Sequence, residues 1–265
     1  MSDHGKMRCD GQERGCVASE TATDELPGTG GVESTAGTDG RDRHPRRVSS
    51  FRSRGSSLSD GQQKAWDKSW PTYGRVAREA DGTCPPLEPA AWFGRTAPLI
   101  LEIGCGTGTS TAAMAIEEPQ FDVLAVEVYR KGLAQLLSAI DREGIENIRL
   151  IRGDALDVLE YLLPSGSLTA ARVFFPDPWH KTRHHKRRLI SPEFADKVAR
   201  VLKPGATWRL ATDWEEYAIV MRDVLDDHPD FENLHSGEGA TEQDPAGGWA
   251  PRWDGRVLTS FERKA

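Results

Sequence analysis

Four carboxylates and one glycine loop hold the chemistry this sequence can do. Glu102 lies two residues before Gly104 in LEIGCGTGTST (101–111), which carries glycines at 104, 106 and 108. Glu127 falls at the end of DVLAVEV (122–128), Asp154 ends NIRLIRGD (147–154), and Asp177 sits between two prolines in FFPDPW (174–179). Glycines at a strand-to-helix turn let the chain bend sharply and let backbone approach a ligand closely. Any one of these acids is most simply a helix cap or a solvated loop residue. Three of them at the ends of three successive strands, beside such a loop, point instead to a nucleoside-containing ligand.

The spacing refines that reading. A dinucleotide fingerprint is G-x-G-x-x-G, whereas here the glycines run G-x-G-x-G and Thr109 follows. Glu102 would crowd a pyrophosphate with like charge, which speaks against a nicotinamide-dependent oxidoreductase. It suits a cation such as the sulfonium of S-adenosylmethionine. Glu127 could then accept from the ribose hydroxyls, and Asp154 could accept from the adenine amino group.

Behind Asp177 comes a concentration of positive charge: Lys181, Arg183, Lys186, Arg187 and Arg188, interleaved with His180, His184 and His185. The chain as a whole is acidic, with a formal net charge of −7. A local patch, not the average, decides whether a polyanion binds. The run is either a solvated loop or a phosphate-binding surface next to the reacting centre. Pro176 and Pro178 stiffen the backbone around Asp177. Trp179 could stack on a base or pack as a lid. The histidines have no cysteine or further acid cluster to complete a metal set, so no metal is expected.

These residues need elements to position them. PLILEIG (98–104) reads as a buried parallel strand, and 109–118 as a helix. Strands at 122–128, 147–154, 171–177 and 207–213 alternate with helices at 129–144, 155–163, 191–205 and 214–227. Ser191 and Pro192 mark the start of one of these helices. An earlier helix is expected from Ser59 or Asp60 up to Pro71, with loop at 80–89, and RVLTSFERKA (256–265) alternates like a final strand. Such alternation predicts a Rossmann-like, doubly wound α/β sheet, with ligands at the carboxyl ends of the strands. Residues 1–47 have few large apolar side chains and read as a disordered tail ahead of one domain at 48–265. The first thirty residues lack the apolar segment of a secretory signal, and no stretch is apolar enough to span a bilayer. Cys9, Cys16, Cys84 and Cys105 form no paired motif. The expectation is a cytoplasmic protein with reduced thiols.

Taken together, the chain resembles the bacterial tRNA (guanine-N7-)-methyltransferase family over roughly 48–265. The resemblance is carried by PDPWHKTRHHKRRL (176–189), LEIGCGTG (101–108), VEVY (126–129), TDWEEYA (212–218) and TSFERK (259–264). It implies a class I methyltransferase fold with a mostly parallel seven-stranded sheet, S-adenosylmethionine as cofactor, and methylation of guanine 46 of tRNA to 7-methylguanosine. It further implies a cofactor site at Glu102, Gly104, Gly106, Gly108, Glu127, Asp154 and Asp177, with Asp177 also catalytic. Lys181, Arg183, Asp213, Thr259, Ser260, Phe261 and Glu262 would meet the tRNA. Thr182 stands where the family often has a basic residue, so one phosphate contact is expected to be weaker. Residues 50–62 look like a divergent form of the family's basic N-terminal stretch. The protein is expected to act as a monomer or homodimer without an obligate protein partner. Beside this stand a small-molecule methyltransferase, which leaves the basic run without a purpose, and an inactive nucleic-acid-binding module, which leaves Asp177 without one.

Overall fold

The computed structural model describes residues 57–257 together with the backbone of the strand Asp3–Arg8. In chain order the elements are β1 (Asp3–Arg8), α1 (Asp60–Tyr73), β2 (Gly74–Val76), α2 (Pro89–Phe93), β3 (Leu99–Ile103), α3 (Thr109–Glu117), β4 (Asp122–Glu127), α4 (Arg130–Glu143), β5 (Ile148–Arg152), α5 (Ala155–Asp157), β6 (Leu168–Phe174), α6 (Pro192–Val201), β7 (Leu202–Ala211), α7 (Glu215–Asp226) and β8 (Glu232–Asn233). A π-helical turn, Val158–Leu162, extends α5, and a 3₁₀ helix, Thr182–Arg187, lies between β6 and α6.

The strands form a sheet in the order β2-β5-β4-β3-β6-β7-β1-β8. The six from β2 to β7 in that order run parallel, and β1 pairs antiparallel with both β7 and β8. From β3 the chain steps outward to β4 and β5, then returns to place β6 on the other side of β3. That reversal opens a crevice at the carboxyl ends of β3, β4 and β6, the usual ligand position in a doubly wound sheet.

Burial follows the two-residue period of the strands. Leu101, Ile103, Leu124, Val126, Ile151, Val173 and Leu210 pack on one face against Phe194 and Val198 of α6 and Tyr217 of α7. Ile100, Val123, Ala125, Ile148 and Leu150 pack on the other against Trp66 of α1, Ala112 and Ala115 of α3, and Leu133 and Leu137 of α4. Every residue of β3 is buried, as expected of a parallel strand covered on both faces. Glu102 falls on the α3 face, in step with Ile100.

Several boundaries differ from the sequence expectation. Ser59 and Gln62 form a capping box at the start of α1, but Pro71 lies inside that helix, which ends two residues later. Proline within the last turn forfeits one backbone bond without breaking the helix. The stretch 80–89, read as loop, runs into α2 with Pro89 at its start. Helix α6 stops at Val201, and β7 begins at Leu202, before Pro204 and Gly205, with an irregular register beside β6. Among the described residues the sheet has eight strands where seven were expected; β2 and β8, of three and two residues, are too short to show a period.

Strand β1 lies inside the stretch expected to be disordered. A backbone ladder needs only N–H donors and carbonyl acceptors, so a stretch with few large apolar side chains is not barred from forming one. The rest of 1–47, and the final strand expected at 256–265 beyond Val257, lie outside the described residues. Among the described residues no helix is long and apolar enough to cross a membrane.

Candidate active site

The glycine loop leaves β3 at Ile103 and enters α3 at Thr109. Gly104 and Gly106 have φ of 79° and 57°, and a Cβ built on either would meet nothing within 4 Å. Left-handed backbone favours glycine, and the open space beside both is where a ligand can lie against bare backbone. The loop is pressed from behind. Gly132 in the first turn of α4 lies so close that a Cβ there would sit 2.1 Å from the Gly106 carbonyl oxygen. Gly104 donates to the Val126 carbonyl at 2.8 Å, tying the loop to β4.

The acids stand around this loop. The β3–β4 register pairs Ile103 with Val126, which brings Glu127 level with Gly104. Glu127 Oε2 accepts from the Gly106 N–H at 2.9 Å, and its Oε1 accepts from the N–H groups of Val128 and Tyr129 at 2.7 and 2.9 Å. It therefore fixes the loop and the start of α4 at once. Asp154, two residues past β5, caps α5 by accepting from Leu156 N–H at 3.0 Å. The capping role and a ligand role are compatible, because a carboxylate has four lone-pair sites.

Glu102 is 4% exposed. Its Oε1 accepts from the Thr111 hydroxyl at 2.8 Å, while Oε2 is buried without a hydrogen-bond partner. Burial raises its pKa, against the opposing pull of Arg172 and the Thr111 bond, and Glu118 adds a further raising push. The β3–β6 register pairs Glu102 with Arg172, and the β6–β7 register pairs Arg172 with Arg209. Arg172, itself 1% exposed, bonds Glu118 at 2.5 Å, and it and Arg209 lie 4.9 and 4.1 Å from the Trp253 ring. A buried row of charge thus crosses the sheet from the glycine loop to the C-terminal segment. Sequence reading missed it, although an arginine in the apolar strand LTAARVF is the signal that could have found it. Cys105, in the loop itself, has its thiol pushed well above the ordinary value by burial and by Glu127 and Glu102, so it is no thiolate nucleophile.

Asp177 leaves the end of β6, which pairs directly with β3. The loop bearing it is strained and heavily braced. Phe175 and Trp179 adopt left-handed φ of 52° and 47°, a cost that persists only where surroundings enforce it. Arg188 provides much of that enforcement. It donates to the Pro178 carbonyl at 2.9 Å, forks onto both oxygens of Glu216 at 3.1 Å, and lies 4.8 Å from the Tyr217 ring. The Tyr217 hydroxyl accepts from Ile190 N–H at 3.1 Å, and burial raises its pKa to about 12, with Asp177 adding to the rise. The Arg188 fork holds the Glu216 carboxyl below its ordinary range.

The basic run is therefore not uniform. Arg188 is 8% exposed and Arg187 stacks 3.6 Å from the Trp179 ring, so both brace the loop and neither presents a free guanidinium to a polyanion. Lys181, Arg183 and Lys186 are exposed on or beside the 3₁₀ helix. Trp179 is 4% exposed and packs between Arg187 and His184, which resolves its two readings in favour of packing. His180 instead meets the exposed Trp214 edge-on at 4.2 Å. Asp213 is exposed in the turn from β7 to α7. Thr259, Ser260, Phe261 and Glu262 lie outside the described residues. No group of three or more metal-ligating side chains occurs among the described residues.

The structure so brings Glu102, Gly104, Gly106, Gly108, Glu127 and Asp154 to the ends of three adjacent strands, with Asp177, Lys181, Arg183 and Asp213 at the ends of the next two. Known proteins are similar to this chain in sequence. A family model described as "Putative methyltransferase" matches residues 96–252. A tRNA (guanine-N(7)-)-methyltransferase of Mycolicibacterium gilvum is 50% identical, the match covering 100% of this chain and 94% of that one. Proteins of the same name from Nocardia farcinica and Paenarthrobacter aurescens are 48% and 40% identical, covering 83% and 93% of this chain and 79% and 95% of theirs. On these matches the chain belongs to the bacterial tRNA (guanine-N7-)-methyltransferase family.

Proposed function

We propose that this enzyme transfers a methyl group from S-adenosylmethionine to N7 of a guanine in tRNA, guanine 46 of the variable loop, leaving 7-methylguanosine, and that it does so in the cytoplasm. One observation carries the reading. A carboxylate-lined glycine loop and a rim of exposed Lys181, Arg183 and Lys186 lie at the same end of one sheet. The tRNA and the N7 position come from the names of the relatives.

The residues present fit the donor. Glu102 Oε2 is buried, raised in pKa and without a hydrogen bond, as a group awaiting a cation would be. Gly104 and Gly106 leave open space beside the backbone. Glu102 would complement the sulfonium, Glu127 the ribose, Asp154 the adenine amino group, and Gly104 and Gly106 would let the nucleoside approach, whereas a Cβ on Gly108 would meet Leu136 at 2.6 Å, so that glycine serves the packing of the loop on α4. When bound, S-adenosylmethionine supplies a methyl group activated by its positive sulfur.

Guanine N7 carries a lone pair and no proton, so this transfer needs neither an obligatory general base nor a covalent nucleophile. The chain's work is alignment and electrostatics. Asp177, stiffened by flanking prolines and by the Arg188 contact to Pro178, would hold the base edge and face the positive charge that develops on the ring. Asp213, with Glu262 from the C-terminal segment, would accept from the guanine N1 and N2 donors, a pairing adenine cannot satisfy. Such a hydrogen-bonded pair is worth about 1–3 kcal/mol of discrimination. Lys181 and Arg183 would position the RNA backbone.

Purified protein with labelled S-adenosylmethionine should label unmodified bulk tRNA and leave a panel of small metabolites unlabelled. Label in a metabolite alone would reject the proposal. Replacing Lys181, Arg183 and Lys186 together by Ala should weaken tRNA binding and flatten its salt dependence, by up to about 0.7–0.9 per contact in the log–log slope. Arg187 is left out of that set because its loss would disturb Trp179. An unchanged slope would remove the rim from the account.

A further inference from the structure

The exposed ring of Trp214 is not used in the chemistry above. Four large hydrophobic residues among those described are notably exposed, and Trp214, at 39%, is the aromatic one. It sits just past the carboxyl end of β7, next to Asp213, at the start of α7.

An exposed surface tryptophan is ordinarily free to turn. This one is fixed. Its backbone N–H donates to Thr212 Oγ1 at 3.2 Å, and its indole N–H reaches Glu216 Oε2 at 3.4 Å. The His180 ring braces it at 4.2 Å with the planes 67° apart. Glu216 is in turn held by the Arg188 fork, and Arg188 holds the Pro178 carbonyl. The indole is therefore linked through Glu216 and Arg188 to the segment that carries Asp177, and the exposed Lys181 follows His180 directly in the chain. A preset aromatic face beside a cation suits an unpaired base, which stacks on the ring while the cation meets its phosphate. Trp179, the nearer tryptophan in sequence, cannot serve because it is buried.

We propose that Trp214, braced by His180, is a stacking platform for a tRNA base at the mouth of the site, a role that rests on the tRNA reading above. The variants Trp214→Phe and Trp214→Leu separate an aromatic face from mere apolar bulk. The side chain is substantially exposed and the α7 start is held through backbone and Thr212, so both variants should fold, as their melting curves will show. The Leu variant should raise the tRNA KM about 10- to 100-fold, and the Phe variant should stay within about threefold of the parent. S-adenosylmethionine affinity should be unchanged in both. Normal tRNA KM in Trp214→Leu, a Phe variant as poor as Leu, or a parallel loss of donor affinity would each overturn the platform. A parent protein that fails to methylate tRNA would sink the tRNA reading and the platform with it, whereas active parent and unaffected Leu variant would sink the platform alone.

Discussion

Asp177→Ala is expected to lower kcat about 10²- to 10³-fold, the cost of removing one preorganised electrostatic partner, while appreciable tRNA binding is retained. The expectation follows from how the loop is built. Its shape is held by Arg188 on the Pro178 carbonyl, by Trp179 packed under Arg187, and by the Phe175 N–H bonded to Ala211 at 2.8 Å. None of these uses the Asp177 carboxylate, so truncation removes the charge and leaves the frame. Asp177→Asn then divides the role. An amide keeps an acceptor for the base edge and loses the charge, so an Asn variant as slow as Ala assigns the effect to charge. An Asn variant near the parent rate assigns it to positioning. Single-turnover rates with saturating donor and tRNA give the comparison, and a normal rate in the Ala variant would take Asp177 out of the chemistry.

Glu102→Gln should move two properties in opposite directions. Burial raises the folded-state pKa of Glu102 above its unfolded value. Its contribution to stability is therefore full below the ordinary carboxylate range and is lost as pH rises through the raised folded value. A neutral isostere escapes that loss, so without donor the Gln variant should melt at or above the parent temperature at neutral pH, the difference vanishing in acid. Donor binding reverses the sign. Charge attraction in a site sheltered from water amounts to a few kcal/mol, so the variant should bind S-adenosylmethionine about 100-fold more weakly. S-adenosylhomocysteine, whose sulfur is neutral, should lose far less. Calorimetric titration of both ligands checks this, and equal losses for the two would mean that Glu102 recognises something other than the positive sulfur. Arg172 limits the effect, because its cation already offsets part of the Glu102 charge.

The sequence displayed the parts of this site whose meaning is local. Glu102 and the three glycines lie within seven residues, and the switch from two-residue to helical periodicity on either side marks them as the turn after a strand. Asp177 between two prolines is legible in the same way. What depends on distant partners was not. Arg188 and Lys181 are both cations in one run, yet the 3₁₀ helix turns Arg188 back onto Pro178 and leaves Lys181 in solvent. Glu102 meets Arg172 across seventy residues of chain through the β3–β6 register, which no local spacing encodes. Strand β2, three residues long after a helix containing Pro71, has too few positions to show any period. Trp214 reads in sequence as one residue of a motif, and its fixed, half-open ring appears only when His180, Glu216 and Arg188 are assembled around it.

The most direct test of the account is to map the methyl group itself. The protein is incubated with S-adenosylmethionine and an unmodified tRNA transcript, and the product is sequenced for the position and atom modified. The account predicts one methyl per tRNA, on N7 of guanine 46, absent from a transcript carrying adenine there. A methyl on any other atom, or undiminished transfer to the adenine-substituted transcript, would contradict it.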